Sequence, residues 1–308
     1  MVEVSILIVC YKSKDLIEAC LEGVFAHTQG VDFEVLLLDC SNDGTVDLVA
    51  GRFPKVRIVE NDENLGFARG NNVLATHALG KYLLLLNPDT VVETNAIGEL
   101  YRTAVRHPEA GAVGGRARRA DGSRDPGCRQ AVPSLSRLVV AALGGAKLLN
   151  GALAEDAVTP DEVETLSGAF MMVRADVWRE HGGFDTSFFM YAEELDLCYR
   201  LRRAGYAVMM TPAAEIVHLV GGGNAMNPSR ILNISKARMH FFRKFWTSRQ
   251  VVLAGLILWL HGAIRFAAGW AGDRLLRWNR GKQLQAAYAD VVLTPSSWWQ
   301  GFSRGDAS

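Results

Sequence analysis

The 308-residue sequence predicts an α/β fold with a mostly parallel central sheet and a C-terminal helical extension. Short runs of consecutive apolar residues alternate with segments whose apolar residues recur at helical spacing, a pattern typical of βαβ units. The apolar runs have few polar interruptions, as expected for strands that are buried on both faces of a parallel sheet. Because 49% of the residues are hydrophobic, the chain can also form a sizeable core.

The first third of the chain predicts four strands, each followed by a helix. The strands are residues 4–9, 35–39, 56–60 and 82–86, and the helices begin near residues 16, 45, 67 and 95. Tyr11, Asp39 and Asp89 stand at or just beyond the ends of three of these strands. Open α/β sheets bind ligands at the carboxyl edge of their strands, so we expect one crevice to contain all three side chains.

The clearest predicted strand, Tyr82–Leu86, runs directly into Asn87-Pro88-Asp89-Thr90. Pro88 ends the strand because it has no N–H for the ladder, which presents Asp89 just beyond the sheet. Asn-Pro-Asp is also common in ordinary turns. A purely structural turn is therefore the competing interpretation.

The middle of the chain predicts a strand at residues 110–115 and then a loop or lid that extends to Pro133. Five arginines make this segment cationic: Arg116, Arg118, Arg119, Arg124 and Arg129. Arginines suit diphosphate recognition, although solvated surface arginines are the competing interpretation. The later predicted elements are helices at 138–153, 176–181 and 193–204, an acidic loop at 154–162, and strands at 166–173, 208–211 and 214–218.

Composition divides the chain into a catalytic domain, residues 1–228, and a helical, basic, Trp-rich region, residues 229–308. From Lys236 to the end there are eleven Lys and Arg against three Asp, and six of the seven tryptophans. Such a segment is typical of contact with an anionic membrane surface. A helical subdomain that forms a homodimer is the alternative, because a Trp-rich apolar surface also suits a protein interface.

Within that region, the apolar run at residues 251–264 is shorter than the roughly 20 residues that a membrane span needs. We therefore expect an interfacial or buried helix there. Gly255, Gly262 and Gly269 recur every seven residues, a spacing that permits close helix packing.

Overall charge and cysteine content exclude several classes of protein. With 33 basic and 33 acidic residues, the chain does not resemble a general nucleic-acid binder. Its five cysteines form no C-x-x-C motif, which indicates a reducing compartment. The N-terminus lacks the basic and long apolar regions of a signal peptide, so we expect a cytoplasmic catalytic part on the inner face of the cell membrane.

Two groups of residues suit catalysis. Asp89 and His218, each at a predicted strand end, suit a Mg²⁺ or Mn²⁺ ion that keeps most of its ligands as water and diphosphate oxygens. Glu193, Glu194 and Asp196 crowd the first turn of a helix, where one of them can serve as a general base. The competing interpretation is stabilisation of the helix dipole, with an Asp196–Arg200 pair.

Five motifs, in this order, carry a resemblance to family 2 glycosyltransferases and, within them, to the bacterial rhamnosyltransferase-like branch. They are the segments 4–11, 38–45, 64–72, 86–90 and 188–200, and the resemblance covers residues 2–245. It implies a GT-A-type nucleotide-sugar-binding fold, a nucleoside-diphosphate sugar donor, a divalent cation, and inversion at the anomeric carbon.

The resemblance also assigns roles to residues. It implies donor binding by Tyr11, Asp39, Asn64, Gly66, Arg69 and Asn72, and metal binding by Asp89 and His218. It implies that Glu194 is the catalytic base, with Asp196 positioning and Glu193 as its neighbour. Asn87 stands where many relatives have the first Asp of a D-x-D motif, and the choice of base among the three acids stays open.

The implied function is transfer of a sugar, with L-rhamnose from dTDP-rhamnose favoured, to a saccharide acceptor such as a polyprenyl-diphosphate-linked one, in cell-surface polysaccharide synthesis. A donor of another sugar, such as galactofuranose, is one alternative, and a non-catalytic nucleotide-sugar-binding protein is another. A dinucleotide oxidoreductase is disfavoured, because Tyr11-Lys12-Ser13 follows the first strand in place of a G-x-G-x-x-G motif.

Overall fold

A computed structural model of the chain describes residues 1–145, 159–219, 226–275, 278 and 280–302. It contains two compact units, which we call the sheet unit and the helical unit. The sheet unit comprises Met1–Val132, Asp156–Thr186 and Glu193–Gly222, and the helical unit comprises Pro133–Glu155, Ser187–Ala192 and Gly223–Ser308. Residues 133–155 and 187–192, which fall in the predicted catalytic domain 1–228, thus belong to the same unit as the C-terminal helices.

The described residues of the sheet unit form a mixed sheet of nine strands. Its strands are β1 (Val4–Cys10), β2 (Phe33–Asp39), β3 (Val56–Ile58), β4 (Tyr82–Leu86), β5 (Thr90–Val91), β6 (Ala110–Arg119), β7 (Asp161–Glu162), β8 (Phe170–Arg174) and β9 (Ala207–His218). The order is β3-β2-β1-β4-β8-β6-β9-β5, with β7 beside β9. The first four strands are parallel, as predicted, whereas β8 runs antiparallel between β4 and β6.

Helices follow the strands of the sheet unit in the predicted order. They are α1 (Ile17–His27), α2 (Thr45–Arg52), α3 (Gly66–His77), α4 (Ala96–Arg106), α6 (Ala175–Glu180) and α7 (Glu193–Arg203). The helical unit contains α5 (Leu135–Ala142), α8 (Pro228–Phe245), α9 (Ser248–Arg274) and α10 (Gly281–Leu293). The α/β class and the C-terminal helical extension are therefore confirmed.

The core of the sheet unit lies around β1, β2 and β4. Ile6 of β1 pairs in register with Val35 of β2 and Leu84 of β4, and all three side chains are buried. Complete burial of such a side chain contributes about 1.5–3 kcal/mol relative to an exposed one. These uninterrupted apolar strands end at Cys10, Asp39 and Leu86, and their burial fixes the position of that edge of the sheet.

Two predictions about the middle of the chain are wrong. Arg116, Arg118 and Arg119 lie in β6 and not in a loop, because this stretch pairs with β9 as far as Arg119 and His218. The predicted strands 208–211 and 214–218 form the single strand β9, since a register shift after Gly114 of β6 preserves the pairing. The predicted helical residues 146–153 and the loop residues 154–158 lie outside the described residues.

The helical unit shows why α9 is longer than the apolar run predicts. Thr247 caps its N-terminus in a reciprocal capping box with Gln250, and the helix continues for 27 residues. The argument from length against a membrane span is therefore wrong. By length and composition alone α9 can cross a membrane, and 28% of its apolar window is buried within the protein.

The three regularly spaced glycines of α9 allow close contact inside the helical unit. A Cβ atom on Gly255 would lie 2.6 Å from the Trp299 ring, and one on Gly269 would lie 2.6 Å from the backbone nitrogen of Gln285. A Cβ atom on Gly262 would lie 2.8 Å from Val291. The predicted close packing along this stripe is confirmed.

Candidate functional site

The carboxyl ends of β1 and β2 bring Tyr11 and Asp39 to one edge of the sheet. Cys10 and Asp39 are paired across the two strands, and Tyr11, the next residue, is 53% exposed. Asp39 is buried, and its Oδ1 accepts hydrogen bonds from the backbone nitrogen of Ser41 at 3.1 Å and from its hydroxyl at 3.0 Å. These bonds fix the orientation of the Asp39 carboxylate.

Beside Asp39 lies a cavity of about 560 Å³, a size typical of small-molecule sites. Its lining includes Asp39, Ser41, Asn61 and Val59. The amide of Asn61 donates to the backbone carbonyl of Asp39 at 3.1 Å, which fixes this lining residue to the end of β2. The cavity offers both apolar and hydrogen-bonding surface, as a nucleoside requires.

The other residues predicted to bind donor lie on and before α3. Gly66 has φ of 67°, which few other residues adopt, and its N–H donates to Oδ1 of Asn64 at 3.1 Å. Arg69 is exposed. The Asn72 amide forms a reciprocal pair with the backbone of Phe184, at 2.8 and 3.0 Å, so it holds the loop after α6. Donor binding by these residues stays a prediction.

The turn after β4 brings Asp89 next to His218. Thr90 of β5 pairs in register with His218 at the end of β9, and the Asp89 carbonyl accepts from the N–H of Leu219 at 2.9 Å. The Nε2 atom of His218 lies 3.2 Å from Oδ2 of Asp89, and its Nδ1 lies 3.4 Å from Oδ2 of Asp125. We call Asp89, Asp125 and His218 the aspartate–histidine cluster.

Charge within the aspartate–histidine cluster is mutually compensated. Burial lowers the pKa of His218, but its hydrogen bonds with Asp125 and Asp89 outweigh burial and raise that pKa to about 9. The hydrogen bond from His218 in turn lowers the pKa of Asp125, whose Oδ1 also accepts from the N–H of Gly127 at 2.9 Å. Sequence reasoning missed Asp125, because it stands alone in an irregular Gly/Arg-rich segment.

One atom of the aspartate–histidine cluster suits a cation. Oδ1 of Asp89 is buried and has no hydrogen-bond partner among the described residues, which is costly unless a ligand satisfies it. Among the described residues, no three His, Cys, Asp or Glu side chains are arranged to hold a metal ion. Asp89 and His218 therefore fit only an ion that takes most of its ligands from outside the protein, and His218 must lose its proton to bind one.

The second acidic group, Glu193 and Glu194, begins α7, and we call it the glutamate pair. Glu193 is only 5% exposed, and its Oε2 is buried and has no hydrogen-bond partner in the described part of the chain. Burial, together with the charge of Glu194, raises the pKa of Glu193 well above its ordinary value. Burial also raises the pKa of Glu194. Carboxyl groups with raised pKa values suit proton transfer near neutral pH.

Asp196, the third predicted acid, has a different environment. It is fully buried, and its Oδ2 accepts from Nε of Arg200 at 2.7 Å. Arg200 also donates to the carbonyls of His181 and Gly183, at 2.6 and 2.7 Å. The predicted Asp196–Arg200 pair is thus confirmed, and it fixes α7 to the turn after α6.

Residues 167–169 lie close to members of both acidic groups. Ser167 and Ala169 line a small cavity together with Asp125 and His218, and the Ala169 carbonyl accepts from the N–H of Asn87 at 3.1 Å. On Gly168, a Cβ atom would lie 4.0 Å from that of Glu194. The aspartate–histidine cluster and the glutamate pair therefore border the same short segment of chain.

Sequence comparisons give this arrangement a family context. The profile described as "Glycosyl transferase family 2" matches residues 5–182. An N-acetylglucosaminyl-diphospho-decaprenol L-rhamnosyltransferase of Mycobacterium tuberculosis is 33% identical over 220 residues, which cover 63% of this chain and 69% of that protein. Rhamnosyltransferase WbbL of Escherichia coli is 25% identical over 230 residues, which cover 70% of this chain and 83% of that one.

Solved structures show the same fold. The mannosyltransferase PcManGT from Pyrobaculum calidifontis, in complex with GDP-Man and Mn²⁺, aligns with a TM-score of 0.58 at 17% identity. The alignment covers 94% of this chain and 84% of that one. This likeness confirms the predicted GT-A-type fold.

Proposed function

The chain belongs to glycosyl transferase family 2, and on that premise we propose that it is an inverting, metal-dependent transferase of L-rhamnose from dTDP-rhamnose. The proposed acceptor is a hydroxyl of a lipid-linked saccharide in cell-surface polysaccharide synthesis. The named activities of the M. tuberculosis and E. coli relatives support this choice of sugar.

The proposal rests on one observation: the aspartate–histidine cluster and the glutamate pair both border residues 167–169. The first group offers a buried carboxylate oxygen without a partner, and the second offers carboxyl groups with raised pKa values. Transfer of a sugar from a diphosphate needs both, namely a site for the charge of the leaving group and an acceptor for a proton.

In the proposed reaction, a carboxylate of the glutamate pair takes the proton of the acceptor hydroxyl. The hydroxyl oxygen then forms a bond with the anomeric carbon of the donor, and the bond from that carbon to the diphosphate oxygen breaks. Nucleoside diphosphate leaves with the electron pair. This single displacement inverts the configuration at the anomeric carbon. It needs one protein base and no protein nucleophile.

Asp89 and His218 are the residues that we propose to hold Mg²⁺ or Mn²⁺. A bound divalent cation supplies positive charge to the diphosphate. Solved structures of similar fold contain Mn²⁺, which supports a divalent ion without deciding between the two metals. The cavity next to Asp39 is the proposed site of the nucleoside.

A panel of nucleotide sugars tests the donor directly. Thermal shifts are measured for dTDP-rhamnose, UDP-galactofuranose and other nucleotide sugars, with Mn²⁺, with Mg²⁺ and with EDTA. We expect the largest metal-dependent increase of Tm with dTDP-rhamnose. A larger increase of Tm with another donor would show that the proposed sugar is wrong. Hydrolysis of the donor, measured without acceptor, distinguishes an enzyme from a non-catalytic nucleotide-sugar-binding protein.

We further propose that α9 lies on the cytoplasmic face of the cell membrane. Its exposed apolar residues recur at helical spacing and form one broad face: Val252, Leu253, Leu256, Trp259, Leu260 and Ile264. An exposed apolar helix face in a region that carries excess Lys and Arg suits an anionic lipid surface. A homodimer that buries this face is the alternative.

Vesicle sedimentation tests the membrane proposal. We expect the wild-type protein to sediment with phosphatidylglycerol vesicles, and the double variant Leu256→Glu with Leu260→Glu to stay in the supernatant. Leu79→Glu is the matched control, because Leu79 is an exposed apolar residue of the sheet unit. Loss of a dimer in the double variant, without any wild-type binding to vesicles, favours the alternative.

A further inference from the structure

Two arginines and a histidine of the helical unit interact electrostatically with one another. Arg238 lies on α8, and His261 and Arg265 lie one turn apart on α9; each is half-buried. The Arg265 guanidinium lies over the Tyr288 ring of α10, 5.9 Å from its centroid. The His261 ring lies 6.0 Å from the same ring, centroid to centroid. We call Arg238, His261 and Arg265 the helical cation cluster.

The helical cation cluster has no acidic counterpart in the described part of the helical unit. The acids described there are Asp273 and Asp290, and neither forms an ion pair with Arg238 or Arg265. Arg265 instead donates one weak hydrogen bond, at 3.4 Å, to the carbonyl of His261. Two partly buried guanidinium groups therefore repel each other, and no described acid of the helical unit compensates their charge.

This arrangement is electrostatically unfavourable in the absence of an anion. Burial lowers the pKa of Arg238, and the charge of Arg265 lowers it further. Burial, followed by the charges of Arg265 and Arg238, lowers the pKa of His261 to about 4. His261 is therefore neutral at neutral pH and can donate one hydrogen bond. A bound anion would offset the repulsion and the desolvation of the two arginines.

The geometry points to an anion-binding site: we propose that the helical cation cluster binds a diphosphate group. Arg238 and Arg265 supply the charge and the paired N–H donors that suit phosphate oxygens, and the Tyr288 hydroxyl and His261 supply neutral donors. All four side chains are partly exposed to solvent.

The same site can take a diphosphate that carries a lipid. Leu260 and Ile264, which directly precede the two α9 residues of the cluster, are 47% and 41% exposed. A hydrocarbon chain attached to the diphosphate can thus follow the exposed apolar face of α9. The choice of a prenyl diphosphate over a free diphosphate rests on the proposed function, whereas the anion site itself does not.

Thermal shift in EDTA tests the site without any donor sugar or metal. The probes are inorganic diphosphate and farnesyl diphosphate. At about a hundredfold excess over its dissociation constant, either ligand is expected to raise Tm by about 5 °C. Arg265→Gln and Arg238→Gln should abolish this increase, and should themselves raise Tm without ligand, because each removes like-charge repulsion. Arg274→Gln, an exposed arginine of α9, is the matched control and should leave the increase unchanged.

The two probes separate the sources of the anion. The quantity compared is the ligand concentration that gives half of the maximal increase of Tm. A concentration at least tenfold lower for farnesyl diphosphate than for inorganic diphosphate assigns the site to a prenyl lipid, and equal concentrations assign it to free diphosphate. No increase with either probe, or an increase that survives both substitutions, overturns the proposal. If Arg265→Gln fails to fold, Arg238→Gln on a different helix provides the test. Metal-dependent binding of nucleotide sugar should be unchanged in both variants, so the site and the transferase assignment can fail independently.

Discussion

The aspartate–histidine cluster and the glutamate pair are two acidic groups of the sheet unit with opposite electrostatics. In the first group, His218 lies between two carboxylates and its hydrogen bond lowers the pKa of Asp125. In the second, two adjacent carboxyl groups lie at the start of α7, no described cation forms an ion pair with either, and burial raises the pKa of both. The two groups border the same three residues, 167–169.

This difference indicates a division of labour between the groups. Carboxylates that stay ionised can bind a cation and, through it, a diphosphate, whereas a carboxyl group with a raised pKa can exchange a proton with a hydroxyl. Acid–base sites commonly separate the pKa values of neighbouring titratable groups in this way. Substitutions in one group should therefore change catalysis, and substitutions in the other should change binding.

The largest effect is expected from Glu194→Gln. If Glu194 is the base, transfer to the acceptor falls by about 10³-fold, because general base catalysis contributes about 10²–10⁴-fold. Donor affinity, measured by calorimetry with Mn²⁺, should stay within about twofold of the wild type, since the glutamate pair is not part of the proposed cation site.

Glu193→Gln is the matched control, because it removes the neighbouring carboxylate from the same helical turn. A larger loss in Glu193→Gln than in Glu194→Gln assigns the base to Glu193, whose Oε2 is buried without a partner. If both variants transfer sugar at the wild-type rate, the glutamate pair contains no base, and its proposed catalytic role is wrong.

Asp89→Asn tests the binding role of the aspartate–histidine cluster. The substitution removes the negative charge of the Asp89 side chain. Within the aspartate–histidine cluster, Oδ1 of Asp89 is the carboxylate oxygen that is buried and has no partner among the described residues. We expect Mn²⁺-dependent donor affinity to fall by more than about 100-fold, beyond the loss typical of outer-shell partners. Calorimetry with and without Mn²⁺ measures it, and an unchanged affinity removes Asp89 from the site.

Asp125→Asn should have a smaller effect of the same kind. Asp125 holds Nδ1 of His218, which orients Nε2 toward Asp89. Outer-shell partners of this type contribute about 10–100-fold to metal affinity, so we expect a loss near the lower end of that range. The readout is the Mn²⁺ concentration at half-saturation. Asp121→Asn, an exposed acid of the same loop, is the control and should not change it.

The contrast between Asp89 and Asp125 also shows how far the sequence predicts the site. Asp89 was predictable, because an apolar strand and Pro88 fix its place at the sheet edge. Asp125 reaches His218 only because β6 is longer than predicted and pairs with β9. A pairing between distant segments leaves no periodic signal in either of them.

The same reasoning applies to the fold. The four parallel strands follow from apolar runs and local turns, so the sequence predicts them with nearly their observed bounds. The mixed part of the sheet and the association of α5 with the C-terminal helices depend on contacts between distant segments. Local pattern and propensity do not determine such contacts.

The smallest predicted effect concerns stability and tests the unusual state of the glutamate pair directly. Glu193 has a raised pKa in the folded protein, so it binds its proton more tightly there than in the unfolded chain. Its contribution to stability is complete below its ordinary pKa of 4.5 and is lost as pH rises through the raised value. Glu193→Gln removes this loss and should raise Tm at pH 8 by about 2–4 °C, equivalent to roughly 1 kcal/mol. Calorimetry should show the difference narrowing as pH falls to 4.5. A variant that is less stable than the wild type at pH 8 would indicate that Glu193 is ionised and paired, and the contrast with the aspartate–histidine cluster would disappear.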